Sequence, residues 1–461
     1  MTTLEADYLV VGCGAAGMAF TDSLIADSAA QVIMLDRRHA PGGHWNEGYP
    51  FLRLHQPSAY YGVNSMPLGG DTIDRQGWNA GLYERASGAE ICGYYDRVMQ
   101  QRLLSSGQVR YFPMCDYSGE HRFVSRVSGE RFEVAVKKKL VDATYLQPAV
   151  PASSPPPFEI APGVRCVPVN ELPREAPQAE GYAIIGAGKT AIDACLWLLE
   201  TGVPPADIRW IKPREGWLAN RAFLQSGDLV GGFLEGLSLQ LEAAAQCDSL
   251  DDLFSRLEAA QQFLRVDRGA QPAKYNGATV TAAEIAALRR IEDVVRLGHV
   301  RRLERDSIVL DQGRAPTGAG ILHVHCAARG LNPAPAVPMF APGRITLQPI
   351  RPGLIPFNAA LVGFVEATRG DDLALKNRLC PPNPLPDAPL DWVRGMLIGV
   401  NADYLWSKEP DIADWLERSR LNLSRGLRSR MGEPEVQAAS KRYGEYARPG
   451  LAKLAQLVAA R

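Results

Sequence analysis

The sequence has 461 residues, 46% of them hydrophobic and 22% charged, with a formal net charge of −1. Such a length supports two or three domains with ample core, and the near-neutral balance gives no electrostatic basis for binding nucleic acid or an anionic membrane. No stretch approaches the roughly 18 consecutive apolar residues of a membrane span, and no basic segment followed by an apolar core opens the chain, so a mature start at Met1 and a cytoplasmic location are expected.

Tyr8 to Val11 is a short apolar run that predicts a buried strand, and Gly12, Gly14 and Gly17 follow as G-x-G-x-x-G at the opening of a helix. The first glycine makes the turn, the second admits a pyrophosphate and the third lets the helix close on the sheet. Asp36 ends the next strand nineteen residues after Gly17, where a ribose-binding carboxylate is expected, with Arg37 beside it. Gly42-Gly43 then turns the chain into His44, Trp45 and Asn46, and Tyr49 to Ser65 is rich in aromatic and amide side chains. Val124 to Val136 alternates with period two around a Ser-Gly-Glu turn and predicts antiparallel strands. Gln147 to Pro157 reads as an extended, proline-rich linker.

A second fingerprint begins at Tyr182. Gly186, Gly188 and Ala191 form G-x-G-x-x-A after a short apolar strand, with Lys189 and Thr190 opening the helix. The following strand, Ile208 to Ile211, ends without an acid; Lys212 and Arg214 stand there, and cations at the ribose edge suit a 2′-phosphate, favouring NADPH over NADH. Residues 220 to 300 read as mainly helical, including Ser249 to Phe263 and a Thr281–Glu284 capping box. Strands are expected at Asp306 to Asp311 and Ile321 to Cys326, and an amphipathic, arginine-rich helix at Asp411 to Arg430. The eight cysteines never take C-x-x-C spacing, and His323 and His325 share a strand face without a third ligand nearby, so no metal is expected.

The first fingerprint, its acid, the G-G-x-W-N segment ending at Asn46 and the Y-P-x-x-R-L segment starting at Tyr49 resemble flavin-containing monooxygenases and their Baeyer–Villiger relatives. The resemblance implies an α/β fold with two Rossmann-like dinucleotide-binding domains. An FAD domain (1–165), holding Gly12, Gly14, Gly17, Asp36, Arg37, Gly43, His44 and Trp45 at its cofactor, is interrupted by an NAD(P)H domain (166–325). The second fingerprint, with Lys189, Thr190, Lys212 and Arg214, lies in that insertion. The chain re-enters the FAD domain over 326–461: Ala327 to Leu331 resembles a return strand, and Gln348 to Asn358, including Phe357, a flavin-contacting segment. The implied chemistry is hydride transfer from NADPH to FAD, then O2 activation at the flavin C4a and oxygenation of a small molecule. Gln56, His55 and Asn64 are the candidates for the polar group beside the reacting flavin. The F-x-G-x-x-x-H signature of those enzymes is missing, since Phe158 to Val167 holds no histidine. The resemblance therefore carries the cofactors rather than either subgroup's usual oxygenation of soft heteroatoms or ketones. A non-oxygenating NAD(P)H reductase and a non-catalytic nucleotide-binding protein are the alternatives, and composition suits a monomer or a homodimer.

Overall fold

The computed structural model describes residues 2–146, 149–328, 330–331 and 334–460. Met1, Gln147 and Pro148 of the linker, and Arg329 of the second return segment lie outside the described residues.

Two parallel sheets organise the chain. In the first, Thr2–Val11 lies between Val32–Leu35 and Arg131–Asp142, with Val109–Phe112 beyond the former and Arg344–Thr346 beyond the latter, all parallel. The four residues of Val32–Leu35 are all buried, as a strand covered on both faces requires. One cover is the pair of helices Ala15–Ala26 and Ile355–Thr368. They touch so closely that a Cβ on Gly363 would stand 2.5 Å from the Phe20 carbonyl oxygen. The alternating stretch forms the antiparallel pair Arg122–Ser125 and Arg131–Asp142, as its period predicts.

The second sheet runs in the order Val294–Val295, Ile208–Ile211, Gly181–Ile185, Ile321–His325, Cys166–Pro168, again all parallel. Helix Lys189–Glu200 lies on one face. The other face is covered by the antiparallel strands Val300–Leu303, Ser307–Leu310 and Gly313–Pro316, which Glu159–Ile160 joins in parallel. Where the chain crosses between the sheets, the outward and return crossings meet in an antiparallel bridge between Ala149 and Gly330.

Two expectations need correction. The region 220–300 contains three helices, Val230–Gln246, Leu250–Ala259 and Ala282–Leu288, but Phe263–Leu264 and Lys274–Val280 are strands that flank Gly216–Asn220 in a small third sheet. The Asp411 to Arg430 stretch is α-helical only as Pro410–Arg418 and then turns, with a short 3-10 turn at Arg428–Arg430, and Arg420, just past the helix, enters the core. There its guanidinium donates to the carbonyls of Ser58, Ala59, Tyr61 and Val63. The last helix, Pro434–Ala459, packs along Val230–Gln246 with Gly450 against the Leu241 backbone. No helix among the described residues is long and apolar enough to cross a membrane.

Candidate functional site

The first glycine turn is built to put bare backbone at a ligand. Helix Ala15–Ala26 starts at Gly14 with no side-chain cap and no acid in its first turn, which leaves its N-terminal N–H groups for another acceptor. Gly17 is demanded by packing, since a Cβ there would fall 2.0 Å from the Gly12 carbonyl oxygen. The turn at Gly42-Gly43 is brought onto this loop: Gly42 N–H donates to the Cys13 carbonyl at 2.9 Å, and a Cβ on Gly43 would meet the Gly14 Cα at 3.0 Å.

Asp36 closes the same corner. One carboxylate oxygen accepts from the Cys13 N–H at 2.7 Å and the other from the Arg38 N–H at 2.9 Å, and each keeps acceptor capacity for a ribose hydroxyl. Beside Cys13 and Asp36, the buried hydroxyl of Tyr111 has no hydrogen-bond partner among the described residues. An orphaned hydroxyl at an uncapped glycine turn fits a polyhydroxylated nucleotide better than a purely structural turn. Arg37 is exposed, whereas Arg38 pairs with Glu47 at 2.8 Å. His44 stacks on Trp45, whose indole N–H donates to the Tyr61 hydroxyl at 2.8 Å. Burial, and then Arg38, lower the His44 pKa to about 4, so its ring is neutral at pH 7.

The second turn repeats the design. Helix Lys189–Glu200 begins at Gly188 without a side-chain cap, and a Cβ on Gly188 would meet nothing within 4 Å, so this turn faces open space. Gly186 adopts φ +146° and approaches the Cys326 carbonyl too closely for a side chain. The predicted cations behave differently from one another. Lys212 is buried, bonds Glu215 at 2.6 Å and lies over the Trp210 ring, so its charge is already compensated within the fold. Arg214, two residues on, is exposed at the strand end. Lys189 is also turned inward, paired with Asp193 one helical turn later. Desolvation pushes its ammonium pKa down.

The loop carrying His55 and Gln56 is fastened to the second sheet's elements. Tyr49 donates to Asp193 at 2.6 Å, and Phe51 stacks on Trp197 with centroids 5.1 Å apart. The His55 carbonyl accepts from Arg221 Nε at 2.7 Å and from the Thr279 hydroxyl at 2.6 Å. Arg221, fully buried, also bonds Glu284 at 3.0 Å, which Arg85 approaches at 3.4 Å. Burial first, and then Lys189, Arg221 and Arg85, drive the His55 imidazole well below the usual histidine range, so it is a neutral hydrogen-bonding group. Gln56, next in the chain, is partly exposed.

Three further predicted residues have partners within the fold. Asn64 accepts from the Ser419 hydroxyl at 2.8 Å and so ties its loop to the C-terminal segment. Gln348 clamps the Val337 backbone, accepting its N–H at 3.0 Å and donating to its carbonyl at 2.8 Å. Phe357 is a core residue between Trp406 and Trp415. Arg221, Glu284, Tyr49 and Asp193 escaped the sequence reading. Their hydrogen-bonded partners lie up to 166 residues away, and the only local signal is the Thr281–Glu284 capping box, which forms and whose carboxylate also serves Arg221.

No family model matches the sequence. The uncharacterized proteins Rv2000 of Mycobacterium tuberculosis (strain ATCC 25618 / H37Rv) and Mb2023 of Mycobacterium bovis (strain ATCC BAA-935 / AF2122/97) are each 48% identical over 449 residues, covering 96% of this chain and 83% of theirs. Among solved structures, a cyclohexanone-bound cyclohexanone monooxygenase superposes with a TM-score of 0.50 at 11% identity, covering 89% of this chain and 98% of that one. The chain belongs to one family with these mycobacterial proteins, and its fold is similar to that of the cyclohexanone monooxygenase.

Proposed function

We propose that the protein is an FAD- and NADPH-dependent monooxygenase acting on a small organic molecule, with residues 1–165 and 326–461 forming the flavin unit and 166–325 the nicotinamide unit. The observation that carries this reading is the pair of uncapped glycine-turn helices, each after an interior strand of its own sheet, one beside an acid and an orphaned hydroxyl and the other facing open space. In this reading the Gly12–Gly17 turn and Gly43 hold the FAD pyrophosphate and Asp36 accepts from the ribose. The Gly186–Gly188 turn holds NADPH, with Arg214 rather than Lys212 meeting the 2′-phosphate. FAD, when bound, supplies hydride acceptance and oxygen activation. Neutral His55 and the partly exposed amide of Gln56 are the polar groups offered to the reacting ring, and the fastenings of their loop hold them in register with the nicotinamide unit.

The test begins with the purified protein's absorbance and nucleotide content, followed by anaerobic titration with NADPH and NADH. Bound FAD bleached in preference by NADPH is expected, with Arg214→Ala raising the NADPH requirement about tenfold and leaving NADH unchanged. Turnover under 18O2 with a substrate panel then reads oxygen transfer by product mass. A colourless protein that takes up no FAD overturns the flavoenzyme reading. Flavin reduced and reoxidised by electron acceptors, with no labelled product from any substrate, assigns a reductase instead.

A further inference from the structure

Two arginines share one carboxylate where the loop of His55 meets the second sheet's elements. Arg221 takes the larger part of it. Its guanidinium bonds Glu284 at 3.0 Å and donates to the His55 carbonyl at 2.7 Å, the Asn79 carboxamide oxygen at 3.1 Å and the Thr279 carbonyl at 3.2 Å. Arg85 reaches the same carboxylate, and the Leu54 carbonyl, only at 3.4 Å. We propose that Arg85 is the counter-ion for a carboxylate carried by the small molecule taken at this junction, so that the substrate is an organic monoacid. The inference rests on the monooxygenase reading and names the substrate class of that site.

Three observations support it. The first is charge balance. Lys189 and Asp193 pair with one another, and His55 is neutral, so the balance turns on Arg85, Arg221 and Glu284. Two guanidiniums against one carboxylate leave one positive charge in excess, and none of the residues outside the described set has an acidic side chain. Burial, and then Arg221, lower the Arg85 pKa to about 10, so the excess charge is present at pH 7. A cation withdrawn from water without a counter-charge is unfavourable, and a single carboxylate restores neutrality where a neutral molecule would not.

The second observation is exposure. The side chains of Arg221 and Glu284 are 0% and 2% exposed, whereas that of Arg85 is 12% exposed, so Arg85 is the member of the trio with surface to offer a ligand. A guanidinium fork matches the two oxygens of a carboxylate, and the bond strengthens where water is largely excluded.

The third is position. The segment carrying Arg85 is bonded to the reacting loop on both sides of His55 and Gln56. On one side the Leu54 N–H donates to the Ala86 carbonyl at 2.9 Å. On the other the Ser58 N–H donates to the Glu84 carbonyl at 3.0 Å and the Ala86 N–H to the Ser58 hydroxyl at 2.8 Å. Arg85 is thereby fixed beside the polar groups that the proposed mechanism offers to the reacting ring, and its charge is one of those that act on the His55 imidazole.

Equilibrium dialysis and saturation-transfer NMR on the full-length protein test the proposal, with benzoate, phenylacetate and octanoate each set against its own amide. At least one acid should bind, and its amide should bind about ten- to a hundredfold more weakly. Arg85→Gln should remove that preference by weakening the acid alone, and Arg85→Lys, which keeps the charge without the fork, should restore part of it. A merely structural role for Arg85 would weaken acid and amide alike. Circular dichroism and Tm establish that each variant is folded; should Arg85→Gln unfold, the acid-over-amide preference of the wild type and its partial loss in Arg85→Lys carry the test. Absence of binding by every acid, equal binding of acid and amide, or a preference unchanged in Arg85→Gln would each overturn the proposal. So would loss of NADPH and NADH affinity in Arg85→Gln with no acid bound, since the charge would then serve a dinucleotide phosphate. Flavin content is measured on the same preparations. Protein that holds FAD but no acid ends this proposal and leaves the flavoenzyme reading standing; protein that binds the acids but takes up no FAD does the reverse.

Discussion

Glu284 caps a helix and also holds the only carboxylate bonded to Arg221 among the described residues, a guanidinium that is 0% exposed. Burial pushes this carboxyl's pKa up, yet Arg221, Lys189 and Arg85 together hold it below the ordinary range, so the group is ionised and matched to its surroundings. Glu284→Gln keeps the shape and the cap but leaves a buried cation unpaired, a defect that costs about 3–5 kcal/mol. Calorimetry should record a fall of several degrees in the transition of the second-sheet unit, whereas Glu235→Gln, whose pair with Arg442 is solvated, should shift it little. His44 offers a pH test at the same scale. Its folded pKa of about 4 lies below the ordinary 6.5, so between those values the unfolded chain binds a proton that the folded protein does not. Stability therefore rises with pH across that window and is lost as pH falls from 6.5 towards 4, by at most about 1.4 kcal/mol per pH unit from this group. Urea midpoints at pH 7 and pH 5 should differ less in His44→Gln than in the wild type.

Helices here obey two opposite glycine rules. Gly363 sits where helix Ile355–Thr368 crosses Ala15–Ala26, and a Cβ would stand 2.5 Å from the Phe20 carbonyl oxygen and 3.2 Å from the Leu24 nitrogen, both rigid backbone. Gly363→Ala must force the helices apart, at a cost of about 1–3 kcal/mol. Helix Ala15–Ala26 carries the first glycine turn, so on the proposed flavin site FAD retention on a desalting column should fall with it. Gly399, inside helix Pro389–Trp406, has nothing within 4 Å of its Cβ position, and Gly399→Ala should instead stabilise by about 0.5–1 kcal/mol. A rise in Tm for the first variant would refute the crossing argument. Sequence reveals the glycine turns, the strands before them and the capping boxes because each is fixed by residues within one or two turns of each other. Strand Lys274–Val280 is not legible in that way, since it exists by pairing with Gly216–Asn220, nearly sixty residues earlier. The inward turn of Lys212 was hidden for a related reason. Spacing reports that a cation stands at the strand end, but not that Glu215 and Trp210 have already satisfied it. Gln348 and Phe357 fall where the resemblance expects cofactor contacts, while the partners the fold gives them, Val337, Trp406 and Trp415, come from backbone and core that no local pattern specifies.

At the scale of the molecule, two nucleotide-type sheets are of use to one another only if the loop between their glycine turns is held by both. Tyr49 to His55 meets that condition: on the first unit the Leu54 N–H donates to the Ala86 carbonyl and the Gly88 N–H to the Leu52 carbonyl, and on the second the loop sets a hydroxyl on Asp193, a phenyl ring on Trp197 and a carbonyl on Arg221 and Thr279. Asp193 is the hinge of this contact, because it also pairs with Lys189 at the mouth of the second turn. The Tyr49 bond to a charged acceptor is worth about 1.5–3 kcal/mol, and if it carries the coupling between the sheets its energy must disappear when either end is removed. In a cycle of Tyr49→Phe, Asp193→Asn and the double variant, the losses should fall short of additivity by about 1–2 kcal/mol, with hydrogen exchange accelerated in helix Lys189–Glu200 by either single change. Additive losses, with exchange altered only by Asp193→Asn, would mean that Tyr49 merely rests on the second sheet's helix. The Phe51–Trp197 stack and the Arg221 bonds would then carry the attachment, and His55 would be held in place from its carbonyl alone.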